Sequence, residues 1–336
     1  MSHGPRPEGV TETDEFYQGP NGENVPVKIF NSRNPSRHTL IIYPGASPMA
    51  EAHPALRAVG EAMAGADFQV FIPRIPPFKD ISLSEEGIEW IVHFYEWLLR
   101  SKSLSGDKIT MSGISFSGAL GLKASLDKRV QARPPRSIFV YSTYYSMETY
   151  LRFLATGEMR ANGEKRRVQP HEWGLVVLFY NYLRRVDVGY NTSNVQRILQ
   201  LCVQDLMDDV EEHTKRISGK ERELVDGILH ARASQEIVRI TNLFWEQFKS
   251  ELESLSPKTW CDKIVTRVFI MHGAEDSMTP FTESIRLADA LNNSSLLITH
   301  AYEHGELSSK LGFISRLGES VRVILYFFRF IRYSEG

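Results

Sequence analysis

Short apolar runs rich in β-branched and aromatic residues recur along this chain, and stretches with helical periodicity separate them. That alternation constrains the fold more than any other feature, because strand, helix, strand repeated in order builds a parallel sheet covered by helices. "HTLIIYPG" reads as a continuous apolar strand ending at Pro44 and Gly45, Ala50 to Ala64 has helical apolar spacing, and "FQVFIPRIP" is a second buried strand. A long helix at "SEEGIEWIVHFYEWLLRSK", a strand at "DKITMSG", a helix starting near Phe116 and a strand at "RSIFVYS" follow. Ahead of these, Glu15 to Phe30 holds two strand-like runs around the turn formers of "GPNGEN", which predicts an opening antiparallel hairpin.

Beyond Ser142 the alternation stops, and Tyr144 to about Leu255 reads as helical with almost no strand signal. In "VQRILQLCVQDLMDDV", Val195, Ile198, Leu199, Cys202, Val203, Leu206, Met207 and Val210 make one continuous helical stripe. "SGK" at Ser218 to Lys220 interrupts the pattern. A further long helix is expected from about Glu221 to Leu255, with Leu224, Ile228, Leu243, Phe244, Phe248 and Leu252 facing inward. The α/β rhythm resumes with strand "RVFIMHG", helix "PFTESIRLADALNN", strand "SSLLITH", a loop holding His304 and a closing helix. The expected organisation is a core whose first part is 15–143 and whose second part is 256–336, with 144–255 as an all-helical second unit inserted between them.

Composition narrows the function classes. Lysine and arginine total 39 against 41 aspartate and glutamate, a formal net charge of −2, so there is no basic excess to hold a phosphate backbone and no nucleic acid is expected as a partner. Cys202 and Cys261 lie far apart without metal-ligand spacing and read as buried free thiols. The opening "MSHGPRPEGVTETDEF" lacks the basic-then-apolar pattern of a secretory signal, which predicts a cytoplasmic location. "VRVILYFFRFI" is too short and too interrupted by arginine to span a bilayer, which needs about 20 apolar residues. It reads as a buried closing helix, with an interfacial membrane contact as the alternative.

The stretch "ITMSGISFSGALG" puts Ser115 between a strand and a helix, with Gly113 two residues before it and Ser117 then Gly118 after it. A serine nucleophile on a tight strand-to-helix turn needs small neighbours at those places because the backbone is crowded there. Read alone, Ser115 is equally a turn or N-cap serine. The rest of the chain favours the nucleophile: a serine hydroxyl needs a histidine to take its proton and a carboxylate to orient that histidine. "HGAEDSMTP" places Asp276 on the loop after a buried strand, and "HAYEHGE" places His304 on the loop after the next.

With the order Ser, Asp, His and these three segments, the sequence resembles the α/β-hydrolase superfamily of serine hydrolases. The resemblance rests on "GISFSG" as the nucleophile elbow, "HGAEDSMTP" as the strand-and-acid segment and "LLITHAYEHG" as the strand leading to the histidine. It covers roughly residues 15 to 150 and 256 to 336, and implies an α/β-hydrolase fold, a mostly parallel sheet flanked by helices, with 144–255 as a cap over the site. It further implies that Ser115, Asp276 and His304 form a triad and that the backbone N–H groups of Phe116 and Ala46 form the oxyanion hole. Two positions depart from the common pattern. Ser117 stands where glycine is usual, and the loop after "TLIIY" reads "PGAS" where His-Gly is frequent. Glu275 is the competing acid and His300 the competing base, while His272 reads as a structural residue at a strand end. His171, His213 and His230 lack ligand spacing, and "DDVEEH" reads as a solvated helix end.

If the insert is a cap, substrate lies between it and Ser115. Tyr144, Tyr145, Phe153, Trp173, Phe179 and Tyr180 then either fill the insert's own core or line an apolar pocket, and "GEKRRVQ" is a solvated loop or an anion attractor. The expected chemistry is hydrolysis of a carboxylic ester of a small to medium, partly apolar molecule through an acyl-enzyme, with a small-molecule substrate as the partner and no metal or organic cofactor implied. The alternatives are a non-catalytic binding or regulatory protein of the same fold, or an acyltransferase, amide hydrolase or C–C bond hydrolase using the same three residues. The oligomeric state stays open.

Overall fold

Strand β3 (His38–Tyr43) is buried along its whole length. Its side chains alternate between two cores, Leu40 and Ile42 on one face and Ile41 and Tyr43 on the other. A strand apolar on both faces is stable only inside a sheet covered on both sides. The computed structural model describes residues 7–34, 38–161, 164–301 and 313–336.

Eight strands form the sheet, in spatial order β1 (Thr11–Gln18), β2 (Asn24–Asn31), β4 (Phe68–Pro73), β3, β5 (Ile109–Ile114), β6 (Ser137–Tyr141), β9 (Arg267–Gly273) and β10 (Ser294–Thr299). β1 and β2 make the expected antiparallel hairpin, beginning four residues earlier than the apolar pattern alone suggests, and β2 runs antiparallel to β4. From β4 to β10 every pairing is parallel. β4 lies on one side of β3 and β5 on the other, so the connections diverge at the carboxyl ends of β3 and β5, the switch point where open α/β sheets bind ligands.

On one face, α1 (Pro54–Gly65) and α13 (Phe313–Glu335) cover the sheet through Leu56, Met63, Val323, Tyr326 and Phe330. Phe330 stacks on Phe68 and meets the edges of Phe139 and Phe269. Each such aromatic burial stabilises the fold by about 1.5–3 kcal/mol. The other face carries short α2 (Pro76–Lys79), then α3 (Glu86–Ser101), α4 (Phe116–Ala124) and short α5 (Lys128–Gln131), while α12 (Phe281–Ala290) packs Leu287 beside Val268 and Ile270.

Between β6 and β9 the chain forms α6 (Met147–Thr156), α7 (Glu172–Tyr182), α8 (Ser193–Val203), α9 (Met207–Arg216), α10 (Gly219–Leu229) and α11 (Gln235–Ser254). Three expectations for this insert change. The stripe expected as one helix breaks after Val203: Asp205 takes φ +60°, and Leu206 and Met207 are left 44% and 55% exposed. The helix expected from Glu221 to Leu255 is two, because the chain turns at Ala231 (φ +46°) and restarts where the Ser234 hydroxyl accepts from the Ile237 N–H. The segment is also not all helical: β7 (Glu158–Ala161) and β8 (Glu164–Arg167) pair as a separate antiparallel hairpin. Its polar sequence carries no apolar alternation to announce it.

Nor does the insert have a core of its own. Leu151, Phe153, Phe179 and Phe244 belong to the same apolar cluster as Ile41, Tyr43, Phe94 and Leu120. Its entry and exit are stitched together: the Met147 N–H donates to Ser256 Oγ (2.9 Å) and the Lys258 N–H to the Tyr145 carbonyl (2.9 Å). Among the described residues no helix is long and apolar enough to cross a membrane.

Candidate active site

Ser115 follows β5 directly and precedes α4, with φ 55° and ψ −121°. A non-glycine residue held there stores about 1–3 kcal/mol of strain and persists only where its surroundings over-determine it. They do so here. Its N–H donates to the Tyr141 carbonyl (2.9 Å), and its carbonyl accepts from the Gly118 N–H (3.0 Å) and from Thr143 Oγ1 (2.8 Å). A Cβ at Gly113 would lie 2.5 Å from the Ser117 carbonyl oxygen, and one at Gly118 would lie 2.9 Å from Thr143 Cβ. The glycines at these two places are therefore steric requirements of the turn.

Ser117, the departure from glycine, is fully buried. Its hydroxyl donates to the Tyr43 carbonyl (2.8 Å) and accepts from the Ile114 N–H (2.9 Å). The loop after β3 runs beside the turn, since a Cβ at Gly45 would lie 3.2 Å from the Ile114 carbonyl oxygen and 3.8 Å from Ser115 Cβ. Ala46 follows on that loop and is half-buried. The Ser47 N–H is engaged by the Phe78 carbonyl, whereas no acceptor for the N–H of Ala46 or of Phe116 occurs among the described residues. Phe116 begins α4, where the first N–H groups have no intrahelical partner.

Asp276 sits on the loop after β9, two strands over from β5, and is only 4% exposed. Its Oδ1 accepts from the N–H groups of Met278 (2.8 Å) and Thr279 (2.9 Å). Its Oδ2 is 3.4 Å from Nε2 of fully buried His272. That ring nitrogen lies 2.9 Å from the Thr279 carbonyl, which only accepts, so Nε2 carries a proton, and Nδ1 is bonded to Ser284 Oγ at 2.6 Å. His272 is thus a structural histidine that touches the acid. Glu275 and His300, the competing pair, are exposed and face each other at 3.9 Å. His304, the expected base, lies outside the described residues, five positions beyond the end of β10. The ends of β9 and β10 are joined there by the Ala274 N–H donating to the Thr299 carbonyl (2.8 Å).

Tyr150, Thr143 and Tyr141, which no sequence motif singles out, complete the surroundings. Phe116 stacks on Tyr144, and Tyr144 on Tyr150. Burial, with the Asp276 carboxylate adding to it, pushes the Tyr150 hydroxyl above its ordinary pKa, so this phenol stays neutral and reaches from the insert toward the acid loop. Tyr141 at the end of β6 and Thr143 on the loop just after it hold Ser115, a contribution no local motif advertises. Of the aromatic residues proposed for a pocket, Tyr144, Phe153 and Phe179 are packed in the shared core and Trp173 and Tyr180 lie partly buried at its margin. His171 caps α7 through Nδ1 (3.1 Å from the Trp173 N), and His213 and His230 each bond the carbonyl four residues earlier. Lys165 and Arg167 of the basic run both pair with Glu158 across the exposed hairpin.

No protein-family model and no curated protein matches the sequence. Solved structures do match. Brefeldin A esterase, a bacterial homologue of human hormone-sensitive lipase, is 12% identical over 98% of this chain and 78% of its own, with a TM-score of 0.54. The acylaminoacyl peptidase of Pyrococcus horikoshii is 9% identical over 95% of this chain, with a TM-score of 0.54. This chain spans only 41% of that peptidase's length. The 2-hydroxy-6-oxo-6-phenylhexa-2,4-dienoate hydrolase of Rhodococcus sp. strain RHA1 is 16% identical, covering 95% of this chain and 99% of its own, with a TM-score of 0.50. At such identities the likeness is one of architecture: the chain has the α/β-hydrolase fold.

Proposed function

We propose that this protein is a serine hydrolase that cleaves carboxylic esters of small to medium, partly apolar molecules. The observation that carries the reading is the strained backbone of Ser115, fixed on a strand-to-helix turn at the switch point of the sheet. Positive φ at Asp205 and Ala231 serves turns between helices, whereas Ser115 combines φ 55° with ψ −121°, outside the left-handed helical region, on the one kind of turn that presents a serine hydroxyl to a substrate. In the proposed mechanism His304, oriented by Asp276, takes the Ser115 proton as Oγ attacks the ester carbonyl. The N–H groups of Phe116 and Ala46 stabilise the oxyanion, the imidazolium returns its proton to the leaving alcohol, and water then releases the acyl group by the same steps. Residues 144–255 act as the cap, joined to the nucleophile turn where buried Tyr144 stacks between Phe116 and Tyr150. The esterase and hydrolases with this architecture agree with the reading.

Labelling with a fluorophosphonate probe and mapping the modified residue tests it. Modification at Ser115 that vanishes in Ser115→Ala and falls sharply in His304→Ala is the expected result, with turnover of short p-nitrophenyl esters lost in parallel. A folded wild type that neither labels nor turns over such esters, under conditions that label a known serine hydrolase, overturns it and favours a binding role for the fold.

A further inference from the structure

Helix α13 is apolar on two opposite faces. Val323, Tyr326 and Phe330 pack into the sheet. Leu317, Val321, Ile324, Leu325 and Phe328 are between 47% and 64% exposed. At 3.6 residues per turn these five fall within about 100° of arc, roughly opposite the buried stripe. Among the described residues no buried cluster takes them in, and a ridge of five large apolar side chains on one helix is far from the scatter of single exposed residues that a protein surface normally shows.

Charge along this ridge indicates what covers it. Arg322 and Arg329 are exposed and follow one border of the stripe, and exposed Arg332 continues the same outer face one turn past Phe328. Arg322 is paired with Glu319, whereas Arg329 and Arg332 have no ion-pair partner among the described residues. Glu319 itself turns inward to Thr299 Oγ1 and the His300 N–H, which leaves Glu335, at the end of the helix and two turns past Phe328, as the carboxylate on the outer side. An apolar stripe bordered by arginine, on a helix too charged to span a bilayer, is the pattern of a helix that lies in the interfacial plane of an anionic membrane. A second copy of the chain fits less well. Antiparallel pairing of two such stripes sets the arginine borders against each other, and parallel pairing sets each against the border of Ser320 and Ile331, which offers no carboxylate.

We propose that the outer face of α13 docks the protein on an anionic lipid surface, Leu317 to Phe328 entering the acyl boundary and Arg329 and Arg332 meeting lipid phosphates. The inference stands apart from the hydrolase reading and survives its failure. The stripe begins next to β10's carboxyl end, the edge of the sheet that also carries Ser115 and Asp276, because Glu319 is bonded there.

The test is flotation of the full chain with vesicles of phosphatidylcholine alone and of equimolar phosphatidylcholine and phosphatidylglycerol, together with sedimentation velocity of the same preparations. The wild type should float with the anionic vesicles and remain behind with the neutral ones. Arg329→Gln/Arg332→Gln should lose roughly 30-fold in apparent affinity for the anionic vesicles, and Ile324→Glu/Phe328→Glu should lose binding altogether. Both variants alter exposed side chains, so their circular dichroism and urea midpoints should match the wild type. Wild type that does not float, or variants that float as well as it does, overturn the proposal. Self-association abolished by Ile324→Glu/Phe328→Glu in a protein that does not bind vesicles assigns the face to a second copy.

Discussion

One substitution made at two glycines eight residues apart should act in opposite directions. Gly113 and Gly121 flank the Ser115 turn, the first in β5 and the second inside α4. A Cβ at Gly113 meets the Ser117 carbonyl oxygen at 2.5 Å and the Gly118 N and Cα at 2.7 Å, all of them backbone atoms of a turn already strained at Ser115. No side chain is available to swing aside, so the turn itself must open. Overpacking costs about 1–3 kcal/mol where the surroundings are close-packed. At Gly121 no heavy atom lies within 4 Å of the added methyl, and alanine is favoured over glycine within a helix by about 0.5–1 kcal/mol. Gly113→Ala and Gly121→Ala should therefore differ by roughly 1.5–4 kcal/mol, with opposite signs relative to wild type. Urea unfolding followed by tryptophan fluorescence measures both. Opening the turn also displaces Ser115, so the fluorophosphonate labelling rate should fall in Gly113→Ala and hold in Gly121→Ala. Equal stability changes in the two variants, or a Gly113→Ala protein within about 0.5 kcal/mol of wild type, would show that the crowding does not constrain the turn.

Two other perturbations read different parts of the fold. Glu283, 1% exposed, accepts from the N–H groups of Tyr145 and Ser146 and from Thr149 Oγ1, so Glu283→Ala leaves two N–H groups unbonded where the chain enters the insert. The expected loss is about 2–5 kcal/mol in urea titration, nearly all from those N–H groups because the paired Arg286 is 39% exposed, and Glu283→Gln should restore at least half of it; a glutamine as costly as alanine would refute this account. Burial first, then the charges of Lys108 and Arg136, push the His38 imidazole down to about 4 from its ordinary 6.5. The unfolded chain therefore binds the proton first: stability is fully present above pH 6.5 and is lost as the pH falls from there through about 4, by roughly 3 kcal/mol. Wild type and His38→Gln compared by urea unfolding across that window should diverge by that amount, and parallel pH profiles would remove His38 as the cause.

The sequence declares what is local and conceals what is not. Strands such as β3 and β9 are legible because burial on both faces demands unbroken apolar runs, and the small residues around Ser115 are legible because crowding acts within five residues. The breaks after Val203 and at Ala231 are not, since the apolar spacing runs on across them while single residues at positive φ turn the backbone. The groups that secure the candidate site are equally hidden: Tyr141 and Thr143 reach Ser115 from the end of the neighbouring strand and the loop after it, and Glu283 reaches the entry of the insert from well over a hundred residues away. Ser117 shows the difference most plainly. Against the glycine usual at that place it looks like a tolerated substitution, since a hydroxymethyl group is small. In the fold its hydroxyl takes the Ile114 N–H of β5 and gives its proton to the Tyr43 carbonyl of β3, three residues before Ala46. The departure from the pattern thus ties the loop that would carry one oxyanion donor to the turn that carries the nucleophile. The spacing of those two elements is then set by a buried hydrogen bond as well as by backbone packing.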